Sequence, residues 1–315
     1  MAMLYPELLR TLYLPTTPKS APRRWLSAAS GLVHSHGRLY LIADDEHSLY
    51  HVAFDPAQPA LQDAPLLSCP LLPGELPADR RARKQAKPDL ETLMLLPATP
   101  AAPQGRLLCL GSGGRLARRR AVEIALGTDG SPGESVIHDL SGFFDTLHAS
   151  ISDLNIEGGF LLGDRLCLLQ RGNKAPGAHS ALLTFDAKRF LRWLGGDRCE
   201  LPQLQSRQSL DFGNVEGVPL CPTDAALLPD GSCVLSLVAE DTSDSVADGR
   251  CVAAALARLN PQGELVTLER LHGAPKIEGV ALATTAIAGT VLPLLLVTDA
   301  DDPDQPSTLL HVEFP

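Results

Sequence analysis

The residues with the clearest chemical potential are acidic side chains that stand directly before glycine at the start of apolar runs. The stretch NIEGGF covers residues 155–160, and KIEGVA covers residues 276–281. In both stretches Ile-Glu-Gly precedes a run that is typical of a buried strand. A carboxylate in this position can bind a metal cation, share a proton, or accept hydrogen bonds that join neighbouring elements.

Comparable segments begin at five places along the chain. Each contains a polar residue, a short apolar run, a turn with Gly, Pro or Asp, and then a second, stronger apolar run. The five segments begin at Ser30, Glu91, Glu157, Asp224 and Glu278, with spacings of 54 to 67 residues. A recurrence on this scale indicates a repeat architecture.

More strand-like segments follow each pair of apolar runs. A third, alternating segment starts at Leu49, Arg120, Ala181, Ala254 and Leu309. A fourth, more polar segment can follow in the first four units, and the segment ELLRTLYLP from Glu7 can supply it to the fifth. The pattern predicts an all-β fold in which residues 1–315 form a single five-bladed β-propeller domain, closed by the N-terminal strand.

Two other folds were weighed against five blades. A six-bladed propeller would require a degenerate blade within residues 127–154 or 191–223. An α/β fold would require amphipathic helices, but the only window close to a helical period is SGFFDTLHASISDL from Ser141, which predicts a short helix. A closed ring also has a physical advantage, because it leaves few exposed sheet edges.

The first strand of every propeller blade lines the central channel, so the five segment starts should form a ring. Four of these residues are acidic, and two carboxylates about 4 Å apart repel each other by roughly 4 kcal/mol at an effective dielectric of about 20. We therefore expect a metal site, with calcium as its ion, formed by Glu91, Glu157, Asp224 and Glu278. Alternatively the carboxylates join blades by accepting backbone hydrogen bonds, and lysines neutralise them. Glycines after the acidic residues would allow the blades to approach closely.

A second polar set follows the second apolar run of each segment. Its members are Asp44 and Asp45, Ser112, Gln170 with Arg171 and Asn173, Glu240 with Asp241, and Asp299 with Asp301. We expect them near the first-strand starts, on the same face, although hairpin ends exposed to solvent have similar compositions. For a small anionic ligand the predicted substrate-binding residues are Lys87, Asn155, Arg171 and Lys276.

Two basic segments and one histidine pair have two interpretations each. RRARK from Arg80 and RLARRR from Arg115 could hold an anionic substrate over a metal, or they could be loops in contact with solvent. His34 and His36 share one face of a strand, but without a third ligand they are interpreted as core or surface residues rather than metal ligands.

The overall composition excludes some classes of function. The net charge of −10 disfavours nucleic acid as a partner. The apolar run around Val291 to Val297 is too short to cross a membrane, and the first residues do not resemble a signal peptide, so a cytoplasmic location is expected. The seven cysteines include several inside apolar runs, which predicts buried free thiols. No spacing typical of zinc sites or serine hydrolases is present.

The two Ile-Glu-Gly stretches, together with LLLVTDAD after the last repeat, resemble the phytase-like β-propellers, including the group described as having esterase-like activity. The resemblance implies Glu-Gly units that line a channel and, for some members, calcium and hydrolysis of a phosphate ester. Glu157 and Glu278 match best, Glu91 and Asp224 match less closely, and Ser30 departs from the pattern.

Two hypotheses about function follow. The first is a propeller whose acidic ring binds calcium or a similar cation and supports hydrolysis of a phosphate ester or lactone by metal-activated water. The second is a non-catalytic propeller that offers one face to a protein or a small ligand. The sequence makes no prediction about oligomeric state.

Overall fold

The computed structural model describes residues 3–15, 25–55, 64–245, 249–284 and 291–315. Its strands form five blades, each with four antiparallel strands that run from the centre to the rim in order. The first strands of neighbouring blades contact one another around the ring. The prediction of an all-β, five-bladed propeller is therefore confirmed.

The strands of the first four blades follow chain order. Blade 1 contains Ala29–Ser35, Arg38–Ala43, Ser48–Ala53 and Leu67–Pro70. Blade 2 contains Leu90–Leu96, Arg106–Gly111, Arg120–Leu126 and Pro132–Asp139. Blade 3 contains Ile156–Leu162, Arg165–Gln170, Ala181–Asp186 and Ser206–Ser209. Blade 4 contains Cys221–Leu227, Cys233–Asp241, Arg250–Leu259 and Leu265–Leu271.

Blade 5 joins the two ends of the chain. Its first three strands are Ile277–Leu282, Leu292–Thr298 and Thr308–Phe314. Its outer strand is Glu7–Thr11, which pairs antiparallel with Thr308–Phe314 as the sequence predicted. The residues just before it, Met3–Leu4, pair in parallel with the outer strand of blade 4. The N-terminal segment therefore joins two blades.

In the described part of the chain, three helices lie in the connections between strands. They are α1 at Arg80–Ala86, α2 at Ser141–His148 and α3 at Ala187–Leu194, and a 3₁₀ turn covers Leu116–Arg118. The position of α2 confirms the helix predicted from Ser141. The segments considered for a sixth blade contain α2, two outer strands, the end of α3 and a small hairpin of Asn214–Val215 with Val218–Pro219. The described residues thus contain no sixth blade.

The apolar core lies between blades rather than in one central body. One cluster of buried side chains fills each of the five interfaces between neighbouring sheets. The cluster between blades 2 and 3 also receives aromatic side chains from α2 and α3, including Phe143, Phe144, Phe190 and Trp193. Burial of these faces is what stabilises the ring, because it removes apolar surface from water.

Each first strand contains a register irregularity close to its start. In blade 3, Ile156 pairs with Gln170 and Gly158 with Leu169, so Glu157 is the extra residue. The same irregularity occurs in the other four blades. A bulge leaves one residue out of the ladder and changes the direction of its side chain. In this protein it directs polar residues toward the axis of a largely apolar fold.

Several smaller predictions can also be compared with the structure. All seven cysteines are free thiols, and four of them are buried. His34 and His36 contact backbone carbonyl oxygens of Leu282 and Gln104, each at 2.9 Å. Within the described ranges, no helix is long and apolar enough to cross a bilayer.

Candidate functional site

The bulged residues of the five first strands form a ring at one end of the channel. The residues at this position are Ser30, Glu91, Glu157, Thr223 and Glu278. The sequence alignment of the repeats was wrong by one residue in blade 4, where it placed Asp224 in the ring. The hydroxyl groups of Ser30 and Thr223 donate to carbonyl oxygens of the next blade, Leu90 at 2.5 Å and Ile277 at 2.8 Å.

Two more layers of polar side chains lie at the same end of the channel. The residues two positions before the bulge point to the same side of each strand, and they include Asp89, Asn155 and Lys276. The residues directly after the second strands form the other layer. Their backbone N–H groups donate to backbone carbonyl oxygens of the residues two positions before the bulge. Ser112 donates to Asp89 in this way and Arg171 donates to Asn155, both at 2.9 Å.

The three layers enclose a small polar cavity of about 70 Å³ at the mouth of the channel. Nine acidic residues line it, namely Asp44, Asp89, Glu91, Glu157, Glu240, Asp244, Glu278, Asp299 and Asp301. Four basic residues line it as well, namely Lys87, Arg118, Arg171 and Lys276. If every group were ionised, the lining would carry an excess of five negative charges.

On the side of blades 1 and 2, three carboxylates converge. Asp44, Asp89 and Glu91 each offer one oxygen, and these oxygens lie within 4.8 Å of one another. The Lys87 ammonium contacts both Asp44 and Asp89, with 2.9 Å to Asp89 Oδ1. The Arg118 guanidinium donates to Asp89 Oδ2 at 2.6 Å. The negative charge of Asp89 is thus well compensated by nearby cations, and that of Glu91 is compensated less.

On the side of blades 3, 4 and 5, Arg171 is the central cation. Its Nη2 donates to Glu240 Oε2 at 2.5 Å, and its Nη1 donates to Glu157 Oε2 at 3.3 Å. Glu157 Oε1 also accepts a hydrogen bond from Asn155 Nδ2 at 2.5 Å. Lys276 Nζ donates to both carboxylate oxygens of Asp301 at 2.6 Å. These contacts bind the loops of three blades together.

Glu278 differs from the other acidic residues of the ring. It is only 5% exposed, yet neither of its carboxylate oxygens accepts a hydrogen bond from the described residues. Its nearest cations are Lys276 Nζ at 3.4 Å and Arg171 Nη1 at 3.8 Å. A buried carboxylate without hydrogen bonds is costly, so this group is ready to accept a proton or another ligand.

The pKa values show how the excess charge is accommodated. Burial raises the pKa of Asp44 to about 6 and that of Glu278 to about 7. Burial also raises the pKa values of Glu91, Glu157 and Asp299. Burial acts on Asp89 too, but Lys87 and Arg118 outweigh it and hold the pKa of that residue below its ordinary value.

Asp224 lies outside the ring, one residue beyond the bulge. It is 1% exposed, and its Oδ2 accepts a hydrogen bond from the Val280 backbone N–H at 3.0 Å. Its Oδ1 has no hydrogen-bond partner among the described residues. Burial raises the pKa of Asp224 well above its ordinary value. We interpret it as a neutral side chain that joins blades 4 and 5.

The glycines after the bulges have the role that the sequence suggested. A Cβ atom on Gly158 would lie 2.9 Å from the Asp224 Cα, and one on Gly279 would lie 3.1 Å from the backbone nitrogen of Leu32. Both positions are places where the first strands of different blades meet. Glycine is required there because a side chain would push the blades apart.

The predicted site residues can now be located. Of the four predicted metal ligands, the structure brings Glu91, Glu157 and Glu278 to the cavity and leaves Asp224 outside its lining. The four predicted substrate-binding residues, Lys87, Asn155, Arg171 and Lys276, all line the cavity. Their roles in binding remain predictions.

A family model described as "Family of unknown function (DUF6929)" matches residues 25–314, which include all five first strands of the ring. The chain belongs to this family. No protein of curated function matches this DUF6929 member. The resemblance to the phytase-like propellers remains a prediction.

Solved β-propellers are similar in fold to this DUF6929 member. Glutaminyl cyclase from Myxococcus xanthus has 10% identity and a TM-score of 0.47, over 99% of this chain and 98% of that chain. A luciferin-regenerating enzyme has 10% identity and a TM-score of 0.45, over 91% and 92% of the two chains. The WD40 propeller domain of Doa1 has 9% identity and a TM-score of 0.37, over 98% and 96%. At these identities the likeness concerns the fold alone.

Sequence reasoning missed two members of the site in this DUF6929 protein. Asp89 precedes Glu91 by two residues, so strand alternation alone could have placed it on the same side. Arg118 belongs to the RLARRR segment, whose interpretation as a solvent-exposed loop is wrong at this residue, because Arg118 is 4% exposed and bound to Asp89. Its 3₁₀ turn folds back onto the channel, and nothing in the local sequence indicated that.

Proposed function

We propose that the channel mouth binds a divalent cation that prefers oxygen ligands, such as calcium, and that Asp44, Asp89 and Glu91 hold it. The observation that carries this proposal is the charge imbalance of the cavity, where nine acidic residues face four basic ones. Like charges gathered in a buried space need protons or cations to compensate them. The carboxylate of Glu278 lines the same cavity and accepts no hydrogen bond from the described residues, so it has free acceptor capacity beside its two cations, which independently supports a further positive group in the cavity.

The residues fit such an ion in chemistry and in size. Calcium takes carboxylate oxygens at about 2.3 to 2.6 Å, so oxygens on opposite sides of one ion lie within roughly 5 Å of each other. The oxygens of Asp44, Asp89 and Glu91 satisfy this limit, being within 4.8 Å. A cavity of about 70 Å³ has room for an ion and a few water molecules, but not for an organic substrate.

We further propose that the bound cation serves the hydrolysis of a phosphate ester or a lactone, as the resemblance to phytase-like propellers implies. A larger cavity of about 620 Å³ adjoins the channel mouth and shares Asp44, Lys87, Asp299 and Asp301 with it. This volume is typical of sites for small molecules. The substrate would therefore lie beside the channel, with its reacting group directed toward the shared residues.

Residues of the chain can perform the remaining tasks. When bound, a divalent cation lowers the pKa of a water ligand and polarises the ester oxygen. Glu278 has a pKa of about 7, close to the value that suits a general base at neutral pH, so we assign it the removal of a proton from the attacking water. Arg171 and Lys276, which line the same cavity, are placed to compensate the charge of an anionic ester.

Cation binding is tested by metal analysis of the purified protein and by melting with and without a chelator. Calcium at 100 times its dissociation constant should stabilise the fold by about 2.7 kcal/mol. Glu91→Gln should abolish this gain, whereas Glu313→Gln, which changes an exposed carboxylate on the last strand, should retain it. Absence of both bound ion and thermal shift would contradict the proposal.

Hydrolysis is tested separately, with p-nitrophenyl phosphate and a simple lactone as substrates. Turnover should require calcium, and Glu278→Gln should lower kcat by about 10² or more while calcium still binds. If calcium binds and neither substrate is turned over, the catalytic part of the proposal fails. The non-catalytic hypothesis, a propeller that offers this face to a ligand or protein, would then be the better description.

A further inference from the structure

We infer that Lys87 is a built-in competitor of the cation, and that cation binding at the channel mouth releases helix α1 from the propeller face. This inference rests on the proposed cation site and describes its regulation. It is independent of whether the site is catalytic. Three observations support it: the position of the Lys87 ammonium, the way α1 is attached, and the residues that α1 contributes to the larger cavity.

The Lys87 ammonium occupies the position that the cation would need. It contacts Asp44 and lies 2.9 Å from Asp89 Oδ1, and these are two of the three residues whose oxygens converge within 4.8 Å. Two cations cannot share these oxygens, because their repulsion in a buried site is large.

Helix α1 is attached to the propeller mainly through charged contacts. None of its seven residues is buried. The Arg83 side chain donates to Asp45 Oδ2 at 2.9 Å and to Glu46 Oε1 at 3.2 Å. Lys87, the residue directly after the helix, supplies the contact with Asp44 and Asp89. A helix this short has little stability of its own, so loss of the Lys87 contact should loosen it.

One side of α1 forms a wall of the larger cavity. Arg80, Arg83, Lys84 and Lys87 all line this cavity of about 620 Å³. Their spacing of three and four residues places them on one face of the helix. Movement of α1 would consequently change the shape and charge of the compartment next to the cation. Binding of the cation and access of a ligand to the larger cavity would then be linked, so that each favours the other.

The experiment combines calcium titration with hydrogen exchange measured by mass spectrometry over residues 72–87. In the wild-type protein, calcium should accelerate exchange in this segment several-fold. Lys87→Met should bind calcium at least about tenfold more tightly, because the internal competitor is gone, and its α1 segment should exchange rapidly with or without calcium. Lys87→Arg, which keeps the positive charge, should retain the competition and the calcium response.

Two other variants separate the cation effect from simple loosening of the helix. Arg83→Gln should increase exchange in α1 and, through the same linkage, raise calcium affinity by less than Lys87→Met does, because the Lys87 competitor is still present. Arg81→Gln removes one charge from an exposed position of the same helix and should leave both properties unchanged. If wild-type calcium binding leaves α1 exchange unaltered, and Lys87→Met has wild-type affinity, the inference is overturned. If neither the wild type nor Lys87→Met binds calcium, the proposed cation site itself is wrong.

Discussion

Replacement of Arg171 by methionine should destabilise this propeller in a manner that depends steeply on pH. Arg171 contacts Glu240 at 2.5 Å and Glu157 at 3.3 Å, and Glu278 lies 3.8 Å away. Methionine has a similar length but no charge. The variant would leave three buried carboxylates without their shared cation, which is more costly than the loss of an exposed ion pair.

The size of the destabilisation follows from the change that costs the variant least free energy, which is protonation of a buried carboxylate. A charge pair at 3.3 Å is worth about 5 kcal/mol at an effective dielectric of about 20, so the carboxylates will take up a proton instead of remaining ionised. Protonating one glutamate with an ordinary pKa of 4.5 costs about 1.4 kcal/mol for each pH unit above that value. The expected loss is therefore at most about 1.4 kcal/mol at pH 5.5 and at most about 4 kcal/mol at pH 7.5, because the raised pKa of Glu278 means that part of this cost is already present in the wild-type protein.

The sign of this dependence agrees with the wild-type pKa values. Glu278 has a folded-state pKa of about 7, which is raised above the ordinary value. Its stabilising contribution is therefore present at low pH and is lost as the pH rises from about 4.5 through about 7. Without Arg171 the folded-state pKa values rise further, and the loss extends to higher pH. The penalty of the mutation must then grow, rather than shrink, between pH 5.5 and 7.5.

Chemical denaturation at several pH values, with calcium removed, measures this penalty. At pH 7.5 the midpoint of thermal unfolding, measured in parallel, should fall by up to roughly 6 °C, given about 2.1 cal/mol/K of unfolding entropy per residue. Arg192→Met, which removes an exposed arginine from α3, should change the free energy of unfolding by less than about 0.5 kcal/mol. A penalty at Arg171 that is the same at pH 5.5 and 7.5 would refute the charge argument.

Two further predictions concern the centre of the ring. Burial raises the pKa of Asp224 well above its ordinary value and so favours the uncharged form, and an asparagine oxygen can still accept the Val280 N–H, so Asp224→Asn should be nearly neutral. Asp224→Ala should cost about 1 to 3 kcal/mol, and equal losses for the two variants in denaturant titrations would contradict this expectation. Gly158→Ala should cost about 1 to 3 kcal/mol, since its Cβ would approach the Asp224 Cα to 2.9 Å. Gly142→Ala in α2, where the nearest atom is 3.5 Å away, should be neutral or stabilising in the same measurement.

The fold could be predicted because its determinants are local and repeated. Each blade contains its own alternation of apolar and polar residues with turn residues between the strands, and the five copies reinforce one another. The N-terminal segment from Glu7 was assigned to blade 5 because that unit lacked a fourth strand, and Glu7–Thr11 occupies that position. The parallel pairing of Met3–Leu4 with blade 4 was not predicted, since two residues are too short to carry a pattern.

The candidate site could be predicted only in part, since its geometry depends on register. The acidic positions at Glu91, Glu157 and Glu278 were recognised from the repeat, and the structure brings them to one cavity. In blade 4 the bulge falls on Thr223, not on Asp224. A shift of one residue changes the direction of a side chain in a strand, and a bulge cannot be located from composition alone.

Acidic side chains recur at the starts of buried strands, so the sequence alone indicated that they meet near an axis, and it also indicated Lys87, Arg171 and Lys276 beside them. The folded molecule was needed to show which carboxylate each cation contacts, and to show Arg118, which reaches the cavity from a connection between strands. Strand patterns report burial along one segment, whereas the charge of a buried cavity is a sum over five segments that are distant in the chain.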